Sequence, residues 1–188
     1  MIDACYSGEA VQTAVDLANT WKPVKGEDAL ETVEQLRDFL GNHPAAVPAP
    51  GSAAALTRAD LAEAHVVRET VRAVLERAGT DPGEAMALLN EGLRRSHATP
   101  VLRRDHDRWW IEVAAGADQC AAHLAATTLG ALASVIATLG PARLGVCAGS
   151  NCRGTYVDLS RNGSKEYCTR ACAHRASVAA YRKRRSPR

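Results

Sequence analysis

At 188 residues, with 46% hydrophobic but only 4% aromatic content, the chain can bury one sizeable core plus a small satellite module, and its alanine-rich apolar fraction favours close-packed helices over a β-sandwich. No apolar run reads as long enough for a membrane span, and residues 1–17 lack the basic-then-apolar order of a secretory signal; the expected setting is cytoplasmic, where clustered cysteines suggest metal or redox chemistry more than structural disulfides. The formal charge of +2 conceals a division: residues 147–188 carry ten Lys/Arg against Asp158 and Glu166, a net +8, while the first 146 residues carry −6, which makes the basic end a candidate polyanion contact.

Residues 8–21, GEAVQTAVDLANTW, read as a short helix stopped before Pro23. Its polar and aromatic end, Asn19, Thr20 and Trp21, is a candidate lining for a small-effector pocket, with structural capping as the plainer alternative. Thr32 and Gln35 form a capping-box pattern ahead of Leu36, Phe39 and Leu40, and Gly41-Asn42 closes that helix. The Pro/Ala-rich stretch 43–55 reads as a surface connection within one domain.

Thr57 and Asp60 open a third helix, on which Ala64, Val67, Val71, Val74, Leu75 and Ala78 share one apolar face before Gly79 ends it. His65 on this helix reads as a satisfied structural histidine. Asp81, Pro82 and Glu84 supply a cap, a first-turn proline and an N3 acid for a fourth helix through Leu88, Leu89 and Leu93. The period then changes. Residues 101–113 read as two strands around Asp105-His106-Asp107, with Trp109, Trp110, Ile111 and Val113 as strand formers. A long helix follows from about Ala117 to Leu139, with Cys120, Leu124, Thr128, Ala131, Leu132, Val135 and Leu139 on one stripe, and Gly140-Pro141 ends it. Cys5 and Cys120 stand alone and read as small buried hydrophobes.

Cys147, Cys152, Cys168 and Cys172 are spaced C-x4-C-x15-C-x3-C. Two close thiolate pairs of this kind can complete a tetrahedral zinc site. Gly149-Ser150-Asn151 provides turn residues for a first knuckle, Arg161-Asn162-Gly163-Ser164 reads as a hairpin turn, and the second pair opens a helix starting near Thr169. Knuckle, hairpin and helix in that order are treble-clef-like. So small a module has little core of its own, and metal binding is expected to supply most of its folding free energy, about 10 kcal/mol or more. Disulfides or a redox couple are the alternative use of the four thiols, and His174 is a competing ligand.

On the terminal helix Arg175, Arg182 and Arg185 fall roughly in line with Lys183 beside them, and Arg161 and Arg170 extend the same surface; arginine forks suit phosphate oxygens and guanine edges. Tyr156, Tyr167 and Tyr181 offer rings for base stacking, although Tyr156 and Tyr167 also suit the small finger core. The bland reading of the last residues, RKRRSPR, is a solvated tail. No Gly-rich phosphate loop, nucleophile elbow or His-Glu-x-x-His is present, and a four-cysteine site is coordinatively closed, so no enzymatic activity is expected.

Residues 147–185 resemble the bacterial CGNR-type zinc finger. The carriers are the two cysteine pairs, Tyr156, Asp158, Ser160-Arg161-Asn162, Tyr167-Cys168, Arg175 and the basic helix, with Ala173 and His174 standing where that motif has Gly and Asn. The preceding part is similar to the ABATE domain, through Asp16-Leu17-Ala18-Asn19-Thr20, the Leu36/Leu40 helix, residues 67–72 and Leu89-Asn90. The resemblance implies one structural zinc ion on the four cysteines and a stress-responsive transcription regulator.

The expected fold is mainly α (α+β): a helical N-terminal domain with a small β-hairpin at 1–142, then a treble-clef-like zinc finger with a basic C-terminal helix at 143–188. The expected function is zinc-dependent binding of DNA by a bacterial regulator whose N-terminal half senses a small effector or forms a homodimer. An RNA-binding protein, a zinc-stapled protein adaptor and a thiol switch are the alternatives.

Overall fold

Side-chain caps set where most of the helices begin. The protein, described here by a computed structural model, has placed residues 7–47, 56–106, 108–116 and 119–185. Cys5, residues 48–55 of the Pro/Ala connection, Asp107, residues 117–118 at the expected start of the long helix, residues 186–188 and the side chains of Trp109 and Trp110 lie outside the described set. Helix α1 (Gly8–Asn19) starts at Ser7, whose hydroxyl accepts from the Ala10 amide. Helices α2 (Val33–Gly41) and α3 (Arg58–Arg77) each carry a complete capping box, from Thr32 with Gln35 and from Thr57 with Asp60. Asp81 caps α4 (Pro82–Arg95), with Pro82 as its first residue. Each such cap contributes about 1 kcal/mol.

The expected extension of α1 through Trp21 does not occur. Instead Trp21–Lys22 (β1) turns back and pairs with Glu27–Asp28 (β2). Thr20 ends the helix by donating its hydroxyl to the Leu17 carbonyl, and the reversal brings Asp28 to Arg68 of α3.

Helix α5 (Cys120–Leu139) is the centre of the packing, with α1, α3 and α4 laid against it. It is buried more widely than a single stripe: Ala121, Ala122, Ala125, Ala126 and Leu129 join the expected Leu124, Thr128, Ala131, Leu132 and Val135. Small side chains on this helix let its neighbours approach closely. By length and composition alone α5 is apolar enough to cross a bilayer, contrary to the expectation that no run would be; 67% of that stretch is buried inside the protein, as befits a core helix. Strands β3 (Thr99–Asp105) and β4 (Arg108–Ala114) pair antiparallel as the expected hairpin. Val113 seats it against Gly130 of α5, and the cross-strand partners Leu102 and Ile111 are exposed farther out.

After a 3-10 turn at Pro141–Arg143 the chain enters β5 (Leu144–Val146), which pairs antiparallel with β6 (Thr155–Val157). Leu144 and Val157 are cross-strand partners, and both are buried in the same apolar cluster as the helices. The cysteine-rich segment therefore draws part of its order from the helical core, and the metal is not its sole source of folding energy. The hairpin of this segment is also not where Asn162-Gly163 suggested. Strands β5 and β6 flank the first cysteine pair, whereas residues 160–165 form an open loop closed by a carboxylate: buried Asp158 accepts from the Ser160 amide and from the Lys165 amide, each at 2.8 Å. Gly163 takes φ +60° within it, a left-handed value that glycine adopts without a Cβ clash. Helix α6 (Arg170–Arg185) ends the described chain, and of its residues Cys172 alone is buried.

Candidate metal centre

The first cysteine pair is positioned by the β5–β6 pairing, which continues as a bond from the Cys147 amide to the Gly154 carbonyl at 2.8 Å. Between them the chain folds tightly, with the Cys152 amide donating to the Gly149 carbonyl at 3.0 Å. The second pair comes from α6. Thr169 caps that helix by accepting from the Cys172 amide at 3.2 Å, which sets Cys172 in its first turn with Cys168 just ahead. The Ala148 amide reaches the Glu166 carbonyl at 2.9 Å and ties the two halves together.

The four sulfurs all lie within 4.8 Å of one another, with Cys152–Cys168 and Cys168–Cys172 each 3.6 Å apart. A tetrahedron of thiolates about 2.3 Å from zinc places its sulfurs about 3.8 Å apart, so the donor set fits the ion in identity, number and spacing. Gly154 adds a steric reason for the fit. A Cβ there would stand 3.0 Å from the Cys168 sulfur and 3.4 Å from that of Cys152, and the bare backbone instead donates its N–H to the Cys152 sulfur at 3.4 Å. The four cysteines form a binding site for one structural zinc ion. His174, the competing ligand, is exposed and not part of the sulfur cluster.

Arg175 lies one turn beyond the cluster, with Nη2 2.9 Å from the Cys172 sulfur. Burial pushes the Cys152 and Cys168 thiols up. At Cys172 the Thr169 hydroxyl outweighs burial and, with the neighbouring sulfurs, brings the thiol down to about 7. Cys172, the thiol brought down, is the one beside a guanidinium. Four thiolates around a divalent ion leave a net −2, and Arg175 offsets part of that charge as an outer partner of the ligand shell. Cys120 behaves differently: burial raises its thiol to about 11, in keeping with an inert, half-buried side chain.

Two polar clamps join this centre to the helices. The Asn19 side chain lies along β6, donating to the Thr155 carbonyl and accepting from its amide. Arg72, on the buried face of α3, donates to the Ala18, Trp21 and Arg153 carbonyls at 3.1, 3.3 and 2.6 Å and pairs with Glu76 at 2.8 Å. One turn earlier Arg68 ties α3 to the end of α1 and to β2, with Asp28 at 2.6 Å and the Thr20 hydroxyl at 3.3 Å. Asn19, Thr20 and Trp21 are thereby each bonded to α3 or the finger. A cleft of about 200 Å³ lies elsewhere, between α3, α4 and α5, with Val67, Thr70, Arg95 and Ala122 in its lining. Sequence reasoning places Arg68 and Arg72 in the 67–72 segment that carries the ABATE resemblance but gives them no role. The available signal was their i, i+4 placement around Val71 on the face that also carries Val67 and Leu75. His65, as expected of a satisfied histidine, bonds the Leu30 carbonyl through Nε2 at 2.6 Å.

The basic residues expected to meet a polyanion, Arg161, Arg170, Arg175, Arg182, Lys183 and Arg185, are all exposed, and some also bond within the protein. Arg175 bonds a ligand sulfur, and Arg185 donates to the Tyr181 hydroxyl at 2.6 Å while lying over its ring. Lys165 lies 5.6 Å above the half-buried Tyr156 ring, and Tyr167 is also half-buried.

Against known families, residues 12–139 match the ABATE model, described as "Putative stress-induced transcription regulator", and residues 143–185 match the CGNR zinc finger. No curated protein matches the chain.

Proposed function

The chain belongs to the ABATE family and ends in a CGNR zinc finger, and on that premise we propose that it is a cytoplasmic regulator that binds DNA through the finger. The observation that carries this reading is α6: sixteen residues, a single buried one at the metal cluster, and Arg182, Lys183, Arg184 and Arg185 crowded into the last turn. A helix so polar gains little from its own protein. Its charge suits a polyanion. The helical part serves in this reading as the sensing or dimerising half, supported by the α3–α4–α5 cleft and by the exposed Leu102–Ile111 pair. The role is binding rather than catalysis, because four sulfurs leave zinc no position for a water.

An RNA-binding role finds less support, since the rings it would use for stacking are half-buried or covered by Lys165 and Arg185. The test is titration of the zinc-loaded chain with duplex DNA, RNA and single-stranded DNA over a salt series. Four to six phosphate contacts on duplex DNA give a log–log slope of about −4 to −5. Salt-independent or absent binding to all three overturns the reading.

A further inference from the structure

The helical twist of α6 decides which of its side chains look outward. At about 100° per residue, Arg170, His174, Ser177, Tyr181 and Arg185 fall on the side opposite Cys172, and all five are exposed. Arg175 and Arg182 lie on a flank, with Arg175 committed to the Cys172 sulfur.

We propose that this outward face, and not the Arg175–Arg182 line, reads sequence in the major groove of duplex DNA, with His174 as a specificity-determining contact; the proposal rests on the nucleic-acid reading above. Three features of the helix carry it. Its sixteen residues make a rod about 24 Å long and about 10–12 Å across, which suits a groove about 12 Å wide. It is anchored at its first turn through Cys172, so the remaining turns stand clear of the protein. Its outward face has short polar groups, His174 and Ser177, flanked by Arg170 at one end and Arg185 at the other, an order that places cations at phosphates and small donors at base edges.

His174 is the best positioned of these residues. It stands two residues beyond a zinc ligand, so the metal and the Thr169 cap fix its backbone. A side chain held in this way loses little further freedom on meeting a base. Tyr181 is 52% exposed and its hydroxyl accepts from Arg185, which leaves the phenolic O–H to donate outward. The same Arg185 covers one face of the ring, favouring edge contact over stacking.

The experiment selects preferred sites from a randomised duplex library with the zinc-loaded full chain, then compares affinity for the selected site and for unselected duplex. His174→Ala is expected to lower the selected-over-unselected ratio about tenfold while leaving zinc content, unselected affinity and salt slope unchanged. His174→Asn is expected to retain specificity but move the preference toward adenine at one position, because Asn pairs with adenine N6 and N7. Arg170→Ala should weaken both duplexes alike and reduce the slope by about 1. Selection with an unchanged ratio in His174→Ala and an unchanged consensus in His174→Asn overturns this face alone. A preference for RNA or single strands overturns the groove. Failure to bind any nucleic acid overturns the reading beneath it.

Discussion

Asn19 and Thr155 stand 136 positions apart and satisfy each other in both directions, the amide nitrogen donating to the Thr155 carbonyl at 3.0 Å and the amide oxygen accepting from its N–H at 2.8 Å. A side chain thus takes the place of a third strand beside β6. Asn19→Ala leaves a part-buried donor and acceptor without partners, at a cost of about 1–3 kcal/mol. Denaturant unfolding of the zinc-loaded variant should show that loss. Amide exchange should rise at Thr155 as well as at the end of α1.

Metal removal should be felt far from the cysteines. Leu144 and Val157 sit in the helical core, and Arg72 holds the Arg153 carbonyl between the two knuckle cysteines and β6. Chelation is therefore expected to lower the melting temperature of the whole chain in one transition, with loss of protection in α1 and α3. A helical part that melts unchanged, after an independent collapse of residues 143–185, would refute this coupling.

Arg175 is expected to act on the ligand shell before it acts on any polyanion. Arg175→Ala should weaken zinc about 10- to 100-fold in competition with a chromophoric chelator, the usual range for an outer-shell partner. Arg175→Lys keeps the charge but not the planar fork and should recover part of that loss. At saturating zinc, the salt slope for duplex DNA should fall less in Arg175→Ala than in Arg170→Ala.

The pH dependence of stability should carry the Arg68–Asp28 pair. Burial pushes the Asp28 carboxyl up, but Arg68 and the Leu30 amide outweigh it and the net shift is downward. A carboxylate held below its unfolded value stabilises the fold above that value, about 3.9, and the benefit disappears as pH falls through the folded one. Asp28→Asn should flatten the acid limb of a stability–pH curve between about pH 5 and pH 2, with little change in its shape at neutral pH. An unchanged acid limb would exclude the pair as a contributor.

Most helices were legible because their signals are local. Thr32 with Gln35, Thr57 with Asp60, and Asp81 with Pro82 determine starts within four residues, and the β3–β4 hairpin announced itself by a change of period. The four ligands were equally plain, since their spacing is a property of the chain. What the sequence did not reveal were contacts between distant segments. Asn162-Gly163 is a strong turn signal, yet strand pairing there gives way to Leu144 and Val157, which gain burial by pairing around the first knuckle. Asp158 then closes the loop that a ladder was expected to close. Arg175, expected as a phosphate contact, also has a ligand sulfur within its reach, which only the folded chain reveals. The Arg68 and Arg72 clamps were hidden for the same reason: a buried arginine is intelligible only with its partners, and apart from Glu69 and Glu76 these lie 40 to 81 positions away.

The sharing of Leu144 and Val157 between finger and helices bears on how this architecture can be reused. Many small metal modules travel between proteins as self-sufficient cassettes, joined by a tether and indifferent to their neighbours. A cut before residue 143 would bare two core side chains here, together with the Arg153 carbonyl and the β6 edge that Arg72 and Asn19 now occupy. Portability has been exchanged for a fixed orientation. A recipient scaffold would have to supply an apolar floor, a buried guanidinium and an amide in the right places, so the two halves should be inherited and engineered as one piece.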